Sequence, residues 1–318
     1  MSNLKTLSLG AGVQSTALLL ASANGLLPKL DAAIFADTGW EPRNVYEHLN
    51  RIEQEIATPA GIPIYRVSEG NIRDDALNPD KRRFASMPLF VKSLEGKPGM
   101  IRRQCTSEYK IKPIQQKVKE MLGAVRDETG KLGRVKKGLF VEQWIGISTD
   151  EFHRAKDSRV RYIKHTFPLL ELGWSRSDCV TYLEQFGWGN TPKSACIGCP
   201  FHGNRLWREL RDEHPDDFAD AVAFDEAIRE NVYGGRLLGQ AYLHRSMIPL
   251  AQAPLDYVSK REASALMREN QRSLFDLDEN SVGFSCSPFS CEGDESKYGI
   301  EIIQQENSIL SNLDGEQE

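Results

Sequence analysis

The sequence predicts an α/β fold: a Rossmann-like parallel sheet flanked by helices, followed by a mainly helical C-terminal part. Two observations carry this prediction. Short apolar strands alternate with helical segments in the first half of the chain, an order that favours parallel strands joined by crossover helices. From about residue 175 onward, charged stretches with helical spacing replace the buried runs.

The predicted elements follow one another in a regular order. They are a strand over 4–9, a Gly-rich turn over 10–15, a helix ending at Gly25, a strand over 32–37, a helix over 44–57, a strand over 62–67, a helix over 108–122, a strand over 140–148 and a Ser-capped helix over 174–187. Residues 70–104 are polar and contain Pro79, Pro88 and Pro98, so a long loop is expected there. The expected division is an α/β domain over 1–172, a helical region over 173–293 and a flexible acidic tail over 294–318.

Composition excludes several classes of protein. The 318 residues are 40% hydrophobic and 27% charged, as in ordinary globular chains. The chain has no long apolar run and no signal-peptide pattern, so we expect a cytoplasmic protein without a membrane partner. A net charge of −5 argues against a general nucleic-acid coat, and the short basic runs at 81–83 and 102–103 suit either a solvated face or a local binding site. Six cysteines in a cytoplasmic chain favour metal, cluster or redox chemistry over disulfides.

The Gly-rich turn is the first candidate site. It consists of Gly10, Ala11, Gly12, Val13, Gln14 and Ser15. Glycine lets the backbone approach a ligand closely, and the helix that follows offers unpaired N–H groups and a positive dipole end to an anion. The turn therefore predicts a phosphate site, with an ordinary strand–helix turn as the alternative.

This turn resembles the SGGxDS loop of PP-loop ATP pyrophosphatases and phosphoadenylyl-sulfate (PAPS) reductases, with Gly10 and Gln14 in place of the first Ser and the Asp. After the second strand, Asp37, Thr38 and Gly39 resemble the DTG signature of the PAPS reductases. Together the two motifs imply that the chain binds ATP or a related adenine nucleotide. Since Gln14 is not a carboxylate, magnesium would need other ligands. Asp150 and Glu151 are candidates, with capping of a helix as the alternative role of these two residues.

Two cationic segments resemble further elements of the same family. Arg103–Pro113 resembles its R-x-C-x4-K-x2-P element, which implies roles in catalysis for Cys105, Arg103 and Lys110. Cations beside a thiol lower its pKa and attract phosphate or sulfate. The segment 146–154 resembles a strand end of the family, and the planar guanidinium of Arg154 suits an oxyanion.

Cys196 and Cys199 form a C-x2-C pair, a spacing that suits zinc, an iron–sulfur cluster or redox chemistry. The resemblance to cluster-bearing members implies a [4Fe–4S] cluster on Cys105, Cys196 and Cys199. Its fourth ligand is either Cys179 or none, although Cys179 also reads as a buried helical cysteine. Zinc on the same three thiols with His202 is the alternative.

Cys286 and Cys291 lie near the C-terminal end of the sequence. Reductases of the family that use a thiol nucleophile carry it in an E-C-G-[LI]-H element, which the segment 290–293 matches poorly. The resemblance also implies a basic, His-bearing environment for that thiol, whereas Glu292, Asp294 and Glu295 follow Cys291. His244 has no identifiable partner in the sequence and is expected to be structural.

The resemblance implies an enzyme that couples adenylation by ATP to sulfur transfer through a cysteine-bound cluster. The acceptor would be tRNA, DNA or a small molecule, and a cysteine desulfurase would supply the sulfur. One alternative is a sulfonucleotide reductase that forms sulfite from phosphoadenylyl-sulfate or adenylyl-sulfate. The other is a nucleotide-sensing regulator in phage defence.

Overall fold

The computed structural model describes residues 4–78, 87–230, 239–260, 262–263 and the backbone of 301–303. In chain order the elements are β1 (Leu4–Leu9), α1 (Val13–Ala23), β2 (Ala32–Asp37), α2 (Arg43–Ile52), β3 (Ile64–Ser68), α3 (Ile72–Leu77), β4 (Phe90–Lys92), β5 (Pro98–Ile101), α4 (Lys112–Met121), β6 (Val141–Trp144), β7 (Ile163–Thr166), α5 (Pro168–Glu171), α6 (Arg176–Gln185), α7 (Asn204–Glu213), α8 (Pro215–Ala227), β8 (Gln240–Tyr242) and β9 (Glu301–Ile303). A π-helical turn extends α2 over Glu53–Ala57, another precedes α4 over Thr106–Ile111, and 3₁₀ turns cover Thr149–Arg154 and Leu250–Gln252.

Five parallel strands form the central sheet in the order β3-β2-β1-β6-β7, which confirms the predicted α/β class. The chain leaves β1 toward β2 on one side and later adds β6 on the other side. The order therefore reverses beside β1, and open α/β sheets bind ligands at the carboxyl ends of the strands at such a point.

Helices cover both faces of this sheet. On one face α1, α2 and α6 enclose a core that includes Leu18, Leu49 and Leu183. On the other face α4 packs Ile114 and Val118 against the strands. Burying each such side chain contributes about 1.5–3 kcal/mol to folding. Because both faces are covered, the strands read as apolar runs, which explains why the sequence predicts them well.

A second core lies beside the sheet. It joins α7 and α8 to a smaller sheet with the order β8-β4-β5-β9 and includes Met87, Trp207 and Phe224. The two cores do not divide at the predicted boundary of 172/173, because α6 packs on α1 and β4 pairs with β8.

Two segments differ from the sequence-based expectation. The predicted loop over 70–104 contains α3, β4 and β5, whose strand pairs are made with distant parts of the chain. Within the predicted flexible tail, β9 pairs in parallel with β5. No helix among the described residues has the length and apolarity needed to cross a bilayer.

Candidate functional site

The Gly-rich turn lies at the carboxyl end of β1, where the strand order reverses. Ala11 takes a left-handed conformation with φ of 56°, which is uncommon for a residue with a Cβ atom. Ser15 Oγ accepts a hydrogen bond from the Gly10 N–H at 3.2 Å and donates one to the Gly12 carbonyl at 3.1 Å, so the side chain braces the turn. No side chain caps α1 at Gly12, which leaves the first N–H groups of the helix for a ligand.

The end of β6 approaches this turn closely. A Cβ atom placed on Gly146 would lie 3.2 Å from the backbone nitrogen of Ser15, a distance that leaves little room for a side chain. Gly146 begins the segment 146–154, but the sequence did not indicate this approach to Ser15, which exists only in the folded sheet.

A buried polar group lies on the β6 side of the turn. The Gln14 amide donates to Glu151 Oε2 at 3.4 Å, and its carbonyl accepts from Arg176 Nη1 at 3.0 Å. Glu151 forms an ion pair with Arg154, and both side chains are buried. Burial raises the pKa of Glu151 above its usual value, and the charge of Arg154 opposes this shift. Gln14 therefore joins the predicted cation Arg154 to the turn through a carboxylate that the sequence offered only as a magnesium ligand or a helix cap.

The DTG segment lies on the β2 side of the turn. Asp37 Oδ1 accepts from the Gly39 N–H and from the Tyr46 hydroxyl, both at 2.8 Å, which fixes the shape of the segment. Thr38 Oγ1 donates to Glu41 Oε1 at 3.1 Å. Gly39 has φ of 73°, and a Cβ atom there would lie 2.9 Å from Asn71 Cα, so both conformation and space require glycine.

The C-x2-C pair lies against the same DTG segment. Cys196 Sγ is 3.2 Å from Thr38 Oγ1 and 3.6 Å from Glu41 Oε1. The Ile197 N–H donates to the Trp40 carbonyl at 2.9 Å. A Cβ atom on Gly198 would lie 2.0 Å from the ring of Trp40, so only glycine fits there.

The same loop also reaches the Gly-rich turn over 10–15, the candidate phosphate site that is called the phosphate turn from here on. A Cβ atom on Gly12 would be 3.6 Å from Ser194 Cβ, which is an ordinary contact distance. The thiol pair is thus held between both halves of the candidate nucleotide site.

The cationic segment around Cys105 lies beside the DTG segment and the C-x2-C loop. Lys110 is buried and forms an ion pair with Glu41, at 3.4 Å between Nζ and Oε1. The guanidinium of Arg103 lies 5.6 Å from the ring centroid of Phe201, beside the C-x2-C loop. Cys105 is half-buried and packs against the core that contains Ile197. Glu41 connects Lys110, Thr38 and Cys196, a role that the sequence motif alone did not reveal.

The remaining cysteines and histidines are placed as follows. Cys179 is fully buried in the core between α1 and α6, whereas Cys105 packs against the other core. Burial raises the pKa of the Cys179 thiol, as expected for a structural cysteine. His244 is confirmed as structural, because Ser246 Oγ and Asn204 Oδ1 bond its ring nitrogens at 2.7 and 3.1 Å.

His202 lies next to the thiol pair and packs on Trp207, with ring centroids 4.7 Å apart. Burial lowers its pKa to about 3, so the ring is neutral. Among the described residues, no three His, Cys, Asp or Glu side chains are arranged to hold a metal ion. The cluster on Cys105, Cys196 and Cys199 stays a prediction, as does zinc with His202. Cys286, Cys291 and the basic run 81–83 lie outside the described residues.

Comparisons of the chain with protein-family models, with curated proteins and with solved structures found no match.

Proposed function

We propose that the protein is an adenine-nucleotide-dependent enzyme of the PP-loop type, which activates an acceptor with ATP and transfers sulfur to it. The observation that carries this proposal is the convergence of three segments at one end of the sheet. The C-x2-C loop contacts the DTG segment through Cys196 and Thr38, and its Ser194 lies beside Gly12 of the turn over 10–15.

The phosphate turn supplies the binding part of this function. The N–H groups at the start of α1 and the helix dipole favour the phosphates of ATP. Close to the turn, Arg154 and Arg176 bring two positive charges, of which one is paired with Glu151 and the other is hydrogen-bonded to Gln14. Cations near transferring phosphoryl groups stabilise the charge that develops during reaction.

The reaction balances in two steps. In the first, an acceptor oxygen attacks the α-phosphorus of ATP, which forms an O–P bond and breaks the bond between the α-phosphorus and the bridging oxygen, so that pyrophosphate leaves. In the second, a sulfur nucleophile attacks the carbon that carries the activated oxygen, which forms a C–S bond and breaks the C–O bond, so that AMP leaves. This sulfur is at the sulfide level: free sulfide supplies it directly. A cysteine desulfurase supplies it as a persulfide, from which an external thiol reductant releases sulfide and is itself oxidised to a disulfide.

The position of Cys196 supports a role for its thiol in the second step. Cys196 lies beside Thr38 at the nucleotide end of β2, and Glu41 accepts hydrogen bonds from both side chains. The charge of Lys110 holds the Glu41 carboxylate in position in a region closed to water. An iron–sulfur cluster on the predicted cysteines would supply an iron site for sulfide, and none of the contacts described here depends on it.

The test measures pyrophosphate release from ATP under anaerobic conditions. Candidate acceptors of sulfur are tRNA, DNA and small molecules, and sulfide is the sulfur donor. The proposal requires release of pyrophosphate and AMP together with a sulfur-labelled acceptor. Sulfite formation from a sulfonucleotide without ATP consumption would contradict it and support a reductase. Tight nucleotide binding without any turnover would support a regulator.

A further inference from the structure

The surface at the amino ends of β6 and β7 carries a concentration of positive charge. Arg134, Lys136 and Lys137 lie in the segment before β6, and Arg159 and Arg161 lie in the segment before β7. All five side chains are exposed, and none of them forms an ion pair with another described residue. Within 131–141 and 155–164, Asp157 is the one carboxylate in the sequence, in a chain whose net charge is −5.

The sheet brings these two segments together. Val141 and Ile163 are paired residues at the start of the two strands, and the Val141 N–H donates to the Tyr162 carbonyl at 3.0 Å. The segments that lead into β6 and β7 therefore lie side by side at the amino end of these strands.

The charge continues along the side of the sheet toward the candidate site. β7 is the edge strand, and Lys164 on it is exposed. Beside it, His165 Nδ1 lies 2.8 Å from the Lys156 carbonyl, so the segment after the 3₁₀ turn follows the strand. That turn holds Glu151, which contacts Gln14 of the phosphate turn. Four strand residues span about 13 Å, a distance that a few nucleotides cover.

We propose that these cations form a surface that binds the sugar–phosphate backbone of a nucleic acid. This inference rests on the proposed function and deepens it, because it identifies the sulfur acceptor as a nucleic acid. Exposed lysines and arginines that bind phosphates release counterions, and this supplies affinity without reading sequence.

An anionic membrane surface is the other source of phosphate, and the structure disfavours it. Within 131–141 and 155–164 no large hydrophobic side chain is exposed, and the exposed Val125 and Phe152 beside these segments are single residues on separate elements. Stable attachment to a bilayer needs apolar side chains buried at the headgroup boundary or an attached lipid. A polyanion in water needs neither.

The test is fluorescence anisotropy with a labelled RNA hairpin and a labelled DNA duplex, titrated without ATP over a range of salt concentrations. The wild type should bind at least one probe with an affinity that falls steeply with salt. Lys136→Glu/Arg161→Glu should bind that probe at least about tenfold more weakly at moderate salt, with the slope of log K against log salt reduced by about 2.

Lys92→Glu/Lys97→Glu is the matched control, because it reverses the same number of exposed lysine or arginine charges on β4 and the hairpin that follows it. Calorimetry with ATP and thermal unfolding show whether each variant keeps its fold and its nucleotide site. Equal losses in both double variants, no nucleic-acid binding by the wild type, or binding to phosphatidylserine vesicles in its place would overturn the inference. Absence of ATP binding alone would contradict the proposed function and leave the basic surface standing.

Discussion

The Sγ atom of Cys196 lies 3.2 Å from Oγ1 of Thr38, although 158 residues separate them in the sequence. This contact joins the C-x2-C loop to the end of β2, beside the phosphate turn. It therefore places a sulfur atom beside the proposed nucleotide site.

Gly198→Ala tests whether this placement matters for turnover. The added Cβ atom would lie 2.0 Å from the Trp40 ring, so the loop must shift away from Thr38. We expect product formation to fall at least about tenfold, the effect of roughly 1.4 kcal/mol in transition-state stabilisation, while ATP affinity stays within a factor of about two. Steady-state kinetics and calorimetry measure the two effects separately.

Gly203→Ala is the control for that experiment, because a Cβ atom at Gly203 meets nothing within 4 Å. Equal activity in the two variants would show that the Cys196 position does not limit the reaction.

Serine substitutions at Cys196 and Cys291 show which of the two thiols the reaction requires. Acidic neighbours raise a thiol pKa, and a thiol of ordinary pKa is only about 3% thiolate at pH 7. Glu292, Asp294 and Glu295 follow Cys291 closely in the sequence, so we expect Cys291→Ser to keep most of the turnover and Cys196→Ser to abolish it. Sulfite production that disappears in Cys291→Ser would instead identify a reductase.

Measurement of the iron, sulfide and zinc content of the purified protein tests the predicted iron–sulfur cluster. Protein purified without oxygen should be brown and contain iron and sulfide near about four each, the stoichiometry of a [4Fe–4S] cluster. Cys196→Ser should lose the iron, whereas Cys179→Ala should retain it, because Cys179 is buried in the other core. Stoichiometric zinc without sulfide would contradict the cluster.

Gln14→Glu tests the buried group beside the phosphate turn. The substitution replaces an amide donor 3.4 Å from Glu151 with a second carboxylate. We expect the free energy of unfolding to drop by about 1–3 kcal/mol at neutral pH.

The pH dependence of that loss has a definite sign. Burial already raises the pKa of Glu151, and a neighbouring carboxylate raises it further. The folded state of the variant then binds a proton that the unfolded state has released. The deficit is therefore smallest below the unfolded pKa, about 4.3, and grows as pH rises through the folded pKa. Urea unfolding across this range measures it, with the exposed Gln185→Glu as control; a deficit that does not change with pH would argue against the contact.

Local sequence patterns predicted the parts of the fold that local forces determine. β2 has the predicted bounds, since apolar runs in a covered parallel sheet are continuous. The Ser175 cap of α6 is confirmed as a capping box with Asp178. β4 and β5 were missed because they are short and depend on pairing with β8, far along the chain.

The candidate site was predictable in its motifs but not in its connections. The sequence indicated the phosphate turn, the DTG segment and the cysteine pair as separate features. It did not indicate that Glu41 would join Lys110 to Cys196, or that Arg176 would hold Gln14, because these contacts cross between elements. Residue spacing carries no information about which loops meet at the end of a sheet.

The proposed function depends on the claim that the turn over 10–15 binds nucleotide phosphates, and calorimetric titration with ATP measures this binding. We expect micromolar affinity in the wild type and at least about tenfold weaker binding in Gly12→Val, because a branched side chain obstructs the phosphate position. A Cβ atom at Gly12 would meet Ser194 Cβ at an ordinary 3.6 Å, and thermal unfolding shows whether the fold accepts the two further methyl groups of valine. Gly203→Val serves as the matched control. Unchanged ATP affinity in a folded Gly12→Val protein, or no binding by the wild type, would contradict the claim.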